Sequence, residues 1–307
     1  MMQGTASFLN GPTPVEAAPR LALALGLDPD DLRVKRDDLI GLGGGGNKVR
    51  KLQVTMEEAV RSGAETVVTT GAPQSNHARL TAAAGARLGL RVVLVLQGRE
   101  PESDRGNVLL DRLLGAEIVW SGDQPVEEAA DQVERDAGHG RMHRIPFGGS
   151  SPSSAEAYVR AGNELLDQVP DVHHVVVAVG SGGTMAGLVT ALGAARVLGV
   201  DSGAVPDARS VVHGLVRRMR PGGPGTAESL RIDTAQVGDG YEHLGGPTRS
   251  ALSLAAETEG LVLDPTYSGR AMAGLVAAVE AGSIRPGERT VFLHTGGLPG
   301  LFGHDAF

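Results

Sequence analysis

Lysine is the scarcest charged residue of this chain. Only three lysines occur, Lys35, Lys48 and Lys51, against 25 arginines. A guanidinium is always protonated and is not nucleophilic, whereas a lysine amine can form an imine with an aldehyde. Because arginine serves wherever a positive charge is sufficient, a lysine retained in such a chain is a candidate for chemistry that arginine cannot perform.

Two of the lysines follow an unusual glycine run. Residues 42–52 read LGGGGNKVRKL, and the four glycines stand directly before a helix that we expect to begin at Lys48, with Asn47 as its N-cap. Lys48 and Lys51 are three residues apart, so on a helix they share a face and could bind the same anion. The alternatives are a flexible linker for the glycines and ordinary solvated side chains for the lysines.

Three loops rich in glycine or hydroxyl groups each follow a predicted strand, at residues 71–77, 180–184 and 295–300. Ligands of open α/β sheets bind at the carboxyl ends of the strands, so these loops are expected to meet in one crevice. The second loop leads into a helix and could hold a phosphate on its backbone N–H groups; its residues are Gly180, Ser181, Gly182, Gly183 and Thr184. Close packing is the alternative role for its glycines. The loop matches neither the P-loop nor the GxGxxG pattern, which argues against an ATP or NAD site.

The first of these loops carries three adjacent polar side chains. Ser75, Asn76 and His77 offer a hydroxyl, an amide and an imidazole at a strand-to-helix turn. Capping of the next helix by Ser75 or Asn76 is the common structural role of such residues. One of them can cap the helix while its neighbours contact a ligand, so both interpretations stay open.

Alternating strand and helix patterns predict a parallel, doubly wound α/β architecture. The predicted strands are 66–70, 91–96, 116–120, 174–179 and 290–294, and the predicted helices are 78–88, 108–114, 185–198 and 268–281, with 121–144 also helical. Segment 201–228 gives no clear pattern. We expect residues 1–50 and 155–307 to form a large domain and residues 51–154 a small inserted α/β domain.

Composition excludes several classes of function. The net charge is −8 and the charges are scattered, without a basic stripe, so nucleic acid is not an expected partner. No apolar run approaches the ~20 residues needed to cross a bilayer, and the first residues do not resemble a signal peptide. The chain has no cysteine, which excludes disulfides and fits the cytoplasm. No metal site is expected.

Five motifs, in order, carry a resemblance to a known family. They are KRDDLIGLGGGGNKVRKL, TTGAPQSNHARLTAAAGARLGL, VAVGSGGTMAGL, LDPTYSGRAMAGL and FLHTGG. The sequence resembles the D-cysteine desulfhydrase and 1-aminocyclopropane-1-carboxylate (ACC) deaminase family of type II pyridoxal-phosphate enzymes, from about residue 12 to 303. The resemblance implies two doubly wound α/β domains with parallel-type sheets, pyridoxal 5′-phosphate in the cleft between them, a small amino-acid substrate and a homodimer.

The resemblance also implies roles for individual residues. Lys48 would bind the cofactor covalently, Lys51 would assist at the phosphate and Asn76 would hydrogen-bond the phenolic oxygen. The loop Gly180–Thr184 would hold the phosphate, and Thr295 would lie at the ring. Ser75, Asn76 and His77 would bind substrate. The catalytic set would be Lys48, Ser75, Tyr241 and Tyr267.

The resemblance further separates two branches of the family. The deaminases carry Gln, Glu and Leu where this chain has His77, Ser268 and Thr295, which favours the D-cysteine desulfhydrase branch. A hydroxyl beside the pyridine nitrogen gives a less protonated ring, hence a weaker electron sink than a carboxylate gives. A weaker sink suffices to eliminate a good leaving group from Cβ, whereas opening a cyclopropane demands more.

The expected reaction is therefore α,β-elimination on a small, D- or β-substituted amino acid such as D-cysteine, giving pyruvate and ammonia. ACC deamination is the first alternative. The glycines at 43–46, Gln53 where Glu is usual, and the segment 150–158 depart from the family pattern. These departures leave room for a specialised-pathway enzyme, either cysteate sulfo-lyase-like or catalysing β-replacement. A non-catalytic protein that binds pyridoxal phosphate is a further alternative.

Overall fold

The computed structural model describes residues 7–137, 141–222 and 226–307. Within these ranges the strands are β1 Val15–Ala17, β2 Leu32–Arg36, β3 Thr66–Gly71, β4 Arg91–Leu96, β5 Glu117–Trp120, β6 Met142–Arg144, β7 His174–Val179, β8 Val197–Asp201, β9 Arg231–Asp233 and β10 Thr290–His294. The α-helices are α1 Pro19–Ala24, α2 Lys48–Arg61, α3 Asn76–Leu88, α4 Gly106–Leu113, α5 Val126–Asp136, α6 Pro152–Gln168, α7 Gly183–Leu192, α8 Ala208–Met219, α9 Gly246–Glu259, α10 Ser268–Glu280 and α11 Leu298–Phe302.

The strands form two sheets. The larger has the order β1-β2-β10-β7-β8-β9, and the smaller has the order β5-β4-β3-β6. Every pairing in both sheets is parallel except that of β1 with β2. The prediction of an α/β protein with two parallel-type sheets is confirmed.

The central strand β7 shows why its sequence folds this way. Its run of valines packs on both faces of the sheet: Val175 and Val177 join the cluster under α6, α7 and α8, while Val176 joins the cluster under α1, α9 and α10. A parallel strand that is buried on both faces is expected to be continuously apolar and rich in β-branched residues. In the large sheet β7 lies between β10 and β8. Its last residue, Val179, is therefore at the middle of the edge formed by the carboxyl ends of the parallel strands.

Three predicted elements differ in the structure. The helix expected over 185–198 is wrong in its second half, because α7 ends at Leu192 before the left-handed Gly193 and β8 follows. The stretch 121–144 contains the strand β6 besides the helix α5. Segment 201–228 contains α8.

The expected domain boundaries both fall inside helices. Position 50/51 lies within α2 and position 154/155 lies within α6. The strands of the small sheet lie between residues 66 and 144, and all other strands belong to the large sheet. The assignment of 1–50 with 155–307 and of 51–154 to two domains stays a prediction. Among the described residues, no helix is both long and apolar enough to span a bilayer.

Candidate active site

A cavity of about 670 Å³ lies where the loops after the strands of both sheets meet. The small sheet contributes the loops after β3, β4, β5 and β6, and the large sheet contributes those after β7, β8 and β9. Seven residues singled out from the sequence line this cavity: Lys48, Ser75, Asn76, His77, Ser181, Tyr241 and Tyr267. The structure thus brings together residues that are up to 219 positions apart, at the carboxyl ends of parallel strands.

A second, narrow cavity of about 20 Å³ shares Lys48, Asn76, Ser181 and Tyr267 with the large one. Its wall also includes Thr295, together with Asn47 and the whole loop from Gly180 to Thr184. Lys51 lines neither cavity, and Ser268 lines neither. The narrow cavity is therefore the place where the predicted phosphate loop and the predicted covalent lysine come together.

Lys48 is the first residue of α2, and the residue before it is fixed from several sides. The Asn47 amide donates to Thr184 Oγ1 at 3.0 Å, and the Asn47 N–H donates to the Thr295 carbonyl at 3.0 Å. Asn47 precedes the helix as expected, but the prediction that its side chain caps α2 is wrong, because that side chain is committed to Thr184. Loss of solvation lowers the pKa of the Lys48 amine to about 8, despite a hydrogen bond with Lys51 that raises it.

The glycine run before Lys48 is packed rather than flexible. A Cβ on Gly45 would stand 2.1 Å from the Asp38 carbonyl oxygen, and Gly45 has a φ of +79°. The buried guanidinium of Arg79 donates to the carbonyls of Gly43 and Gly45. These contacts exclude a side chain at Gly45 and argue against the linker interpretation.

The loop before α7 lies against a cluster of polar side chains, here called the cradle, that suits an anion. Three polar groups converge on Ser150 Oγ: Lys51 Nζ at 2.8 Å, the Gly183 N–H at 3.2 Å and the Ser181 hydroxyl at 2.8 Å. Burial and the nearby Lys48 hold the pKa of Lys51 well below its usual value. Together with the N-terminus of α7, these groups fit a phosphate.

Ser75 is the residue that caps α3, and Asn76 begins the helix. Ser75 Oγ accepts the Ala78 N–H at 3.1 Å, which leaves its own proton available to a ligand. The first N–H groups of a helix have no partner within it and favour an anion such as a carboxylate. The capping role and the ligand role are thus compatible at this turn.

His77 is held as a neutral imidazole. The Thr69 hydroxyl donates to the Ile145 carbonyl at 2.9 Å, so the 2.9 Å contact between Thr69 Oγ1 and His77 Nε2 requires that Nε2 carry the proton. Burial, followed by the charges of Lys48 and Lys51, holds the pKa of His77 well below its usual value. His77 Nδ1 has no hydrogen-bonding partner among the described residues.

The two predicted tyrosines form a pair on the other wall. Their hydroxyl oxygens are 2.6 Å apart and their rings pack edge to face, with centroids 5.9 Å apart. Burial raises the pKa of Tyr241 to about 12 and that of Tyr267 well above its usual value. Both hydroxyls are therefore protonated at neutral pH and can donate hydrogen bonds.

Buried Arg270 fixes the loop that carries Tyr241. Its guanidinium donates to the carbonyls of Gly240 at 2.7 Å, Tyr241 at 3.0 Å and His243 at 2.7 Å. Asp264 performs the corresponding task for Tyr267, whose N–H donates to the Asp264 carboxylate at 2.8 Å. The tyrosine pair is thus positioned by two buried charged groups that do not line the cavity.

Ser268 and Thr295, the two hydroxyl residues expected near the ring nitrogen, have different surroundings in the structure. The Ser268 hydroxyl donates to the Asp264 carboxylate and accepts the Asp264 N–H at 2.8 Å, so it is fully engaged at the start of α10. A pairing of Ser268 with a ring nitrogen would require its hydroxyl to leave Asp264, so that pairing stays a prediction which this geometry does not favour. Thr295 lines the narrow cavity, and that role stays open to it.

Comparison with known proteins decides the family. A family model described as pyridoxal-phosphate dependent enzyme matches residues 6–296. The chain belongs to this family. It is 36% identical to D-cysteine desulfhydrase of Klebsiella pneumoniae and 34% identical to ACC deaminase of Rhizobium leguminosarum bv. viciae, in each case over 97% of this chain and 95% of that protein. A solved structure described as an ACC deaminase homologue matches with a TM-score of 0.84 at 32% identity, covering 99% of this chain and 95% of that one.

These findings confirm the family drawn from the five motifs, and they establish pyridoxal 5′-phosphate as the cofactor of a lyase or deaminase. The donor set at the narrow cavity agrees with that group, since an amine, a helix N-terminus and hydroxyls stand around one space. Within the described ranges, no cluster of three or more His, Asp or Glu side chains could hold a metal ion.

Sequence reasoning missed Ser150, Arg79 and Asn107. Ser150 lies in the segment 150–158, which we noted as a departure from the family pattern without assigning Ser150 a role, although two adjacent glycines before a serine are typical of a backbone-lined binding loop. Arg79 and Asn107 are buried polar residues behind the site. Their burial could not be predicted from spacing, because arginine and asparagine are usually exposed.

Proposed function

We propose that this enzyme catalyses α,β-elimination on D-cysteine or a closely related β-substituted alanine, releasing pyruvate, ammonia and the leaving group. The observation that carries the proposal is the wall of the narrow cavity. It contains the Thr295 hydroxyl and, among the described residues, no carboxylate. A site of this kind supports the weaker electron sink that elimination of a good leaving group needs.

Bound pyridoxal phosphate supplies a sink for the negative charge that develops at the substrate α-carbon. We assign the phosphate to the loop Gly180–Thr184, with Lys51 and Ser150 behind it. Lys48 Nζ would hold the cofactor aldehyde, and the amine that the substrate displaces from it would accept the α-proton, since a pKa of about 8 lies close to neutral pH.

We assign substrate binding to the start of α3. Ser75 and the N–H groups at the start of α3 bind its carboxylate, and His77 lies beside them in the cavity wall. Tyr267, protonated and hydrogen-bonded to Tyr241, can donate a hydrogen bond toward the leaving group. Thr295 is assigned to the ring. The family resemblance also supports a homodimer, which sedimentation can test, and the cysteine-free sequence fits the cytoplasm, which cell fractionation can test.

Product analysis tests the proposed reaction. We expect the purified enzyme to release pyruvate from D-cysteine and from β-chloro-D-alanine, with 2-oxobutyrate from ACC at least ~100-fold slower. This ratio corresponds to a difference of about 3 kcal/mol in transition-state stabilisation. Efficient ACC turnover would contradict the proposal and establish the deaminase. Release of sulfite from cysteate, or no reaction with any β-substituted alanine of either hand, would instead favour a specialised pathway.

The Lys48 assignment predicts a pH dependence for cofactor attachment. Only the deprotonated amine attacks the aldehyde, so the attachment rate to apoprotein should rise about tenfold per pH unit below about 8 and level off above it. Stopped-flow absorbance after mixing apoprotein with pyridoxal phosphate measures this rate. A rate that keeps rising toward the ordinary lysine pKa of 10.5 would show that the pKa of the attacking amine is not lowered, which contradicts a buried Lys48 as that amine.

A further inference from the structure

Behind Asn76 lies a buried pair that the proposed chemistry does not use. Asn107, near the start of α4, and Arg79, on α3, are both completely buried. Asn107 Nδ2 lies 3.0 Å from Asn76 Oδ1 and 2.8 Å from the Gln74 carbonyl oxygen. Arg79 Nε lies 2.7 Å from Asn107 Oδ1, and Arg79 Nη2 lies at the longer distance of 3.5 Å from Asn76 Oδ1. Asn76 is thus in contact with a second layer on one side and with both cavities on the other.

The direction of each hydrogen bond is fixed because the partner groups can either only donate or only accept. A backbone carbonyl only accepts, so the Asn107 atom facing Gln74 must be its NH₂ group. A guanidinium only donates, so the Asn107 atom facing Arg79 must be its oxygen. The second hydrogen of that NH₂ group then reaches Asn76, whose oxygen must face Asn107. The Asn76 NH₂ group is left pointing away from this pair.

We propose that Asn107, held by Arg79, is a positioning residue that orients Asn76 with its NH₂ group toward the cofactor, so that Asn76 can only donate there. The inference rests on the proposed role of Asn76 at the phenolic oxygen of pyridoxal phosphate. A donor at that oxygen stabilises its ionised form, whereas the amide oxygen in the same place would repel it.

Arg79 extends this device to the covalent lysine. The same guanidinium donates to the carbonyls of Gly43 and Gly45, in the segment that leads into Lys48. The aldehyde and the phenolic oxygen of pyridoxal phosphate stand on adjacent ring carbons, so the groups that meet them must keep a fixed spacing. The buried Arg79 side chain contacts both Asn107, which orients Asn76, and the glycine segment that precedes Lys48.

The test is a pH titration of the absorption of bound cofactor, recorded without substrate. Asn107→Asp keeps the size of the side chain and still accepts from Arg79, but it cannot donate to Asn76. We expect Asn76 to turn over and the midpoint of the titration to rise by about one to two pH units, the loss of one hydrogen bond to a charged group. If this variant does not fold, Asn107→Ala removes the same donor without adding charge.

A double-mutant cycle separates positioning from general disturbance. Asn76→Ala should shift the midpoint by itself, and adding Asn107→Asp to it should produce no further shift. Val108→Ala, which loosens the same turn of α4 and leaves the amide in place, should leave the midpoint unchanged.

Three outcomes would overturn the inference. Equal shifts from Asn107→Asp with and without Asn76 would show that Asn107 acts by another route. A shift in Asn76→Ala but none in Asn107→Asp would refute the inference alone. An unchanged midpoint in Asn76→Ala would refute the proposed role of Asn76, and the inference with it.

Discussion

Replacing Lys48 with alanine is expected to abolish covalent attachment of pyridoxal phosphate and to lower kcat at least ~1000-fold. Two functions are lost together: the covalent link to the aldehyde, and the base at the substrate α-carbon, which by itself contributes roughly 10²–10⁴-fold. Cofactor bound to a lysine as an imine gives the protein a yellow absorption band, which the purified variant should lack. Absorption spectra therefore measure the first loss, and a steady-state pyruvate assay measures the second.

Lys51→Ala is the matched control for this variant. Lys51 lies one turn along the same helix, but its amine is directed to Ser150 and to the Gly148 carbonyl. We expect it to keep the yellow band while binding the cofactor more weakly. A Lys48→Ala protein that keeps the band, or a Lys51→Ala protein that loses it at saturating cofactor, would reverse the assignment.

Gly183→Asp is expected to lower the affinity for pyridoxal phosphate by about 100-fold or more. A Cβ at this position would stand 2.5 Å from Ser150 Oγ and 3.4 Å from Lys51 Cδ, so the Ser150 side chain must move and the new carboxylate would enter the cradle. The new carboxylate and the cofactor phosphate would repel each other. At an effective dielectric constant of 20, two like unit charges 4 Å apart repel by about 4 kcal/mol, and the nearby Lys51 amine would offset part of this repulsion. Fluorescence titration of apoprotein with the cofactor measures the affinity, and circular dichroism reports the fold.

Gly183→Asn separates charge from size, because it introduces a side chain of the same shape without the charge. Its loss of affinity should be much smaller. Gly182 is unsuited to this test, since its Cβ would face Val211 and Val212 on α8. Equal losses in the two Gly183 variants would indicate steric damage, and unchanged affinity in Gly183→Asp would place the phosphate elsewhere.

The convergence of the three loops could be predicted from the sequence because it depends on a few robust patterns. Apolar runs such as that of β7 identify buried parallel strands, and the carboxyl ends of such strands share one edge. Once the loops after β3, β7 and β10 were assigned, Ser75, Ser181 and Thr295 were expected to meet, and the cavities contain them.

The supporting residues could not be predicted in the same way, because their roles depend on tertiary contacts. Ser268 and Thr295 both read as hydroxyls of the site, and only the structure shows that Asp264 engages the first. The sequence predicts that the Asn47 side chain caps α2, but that side chain donates instead to Thr184, 137 positions away. Local patterns identify which residues stand at the site, whereas buried partners decide which way each one points.

The central claim is that Lys48 alone among the three lysines carries the cofactor. The other two amines have partners: Lys35 donates to the Thr13 carbonyl at 2.8 Å and to Gln168 at 2.6 Å, and Lys51 donates to Ser150. Borohydride reduction of the holoenzyme followed by peptide mapping tests this claim most directly. We predict one stable phosphopyridoxyl label, on the peptide that contains Lys48. A label on Lys35 or Lys51 would contradict the account.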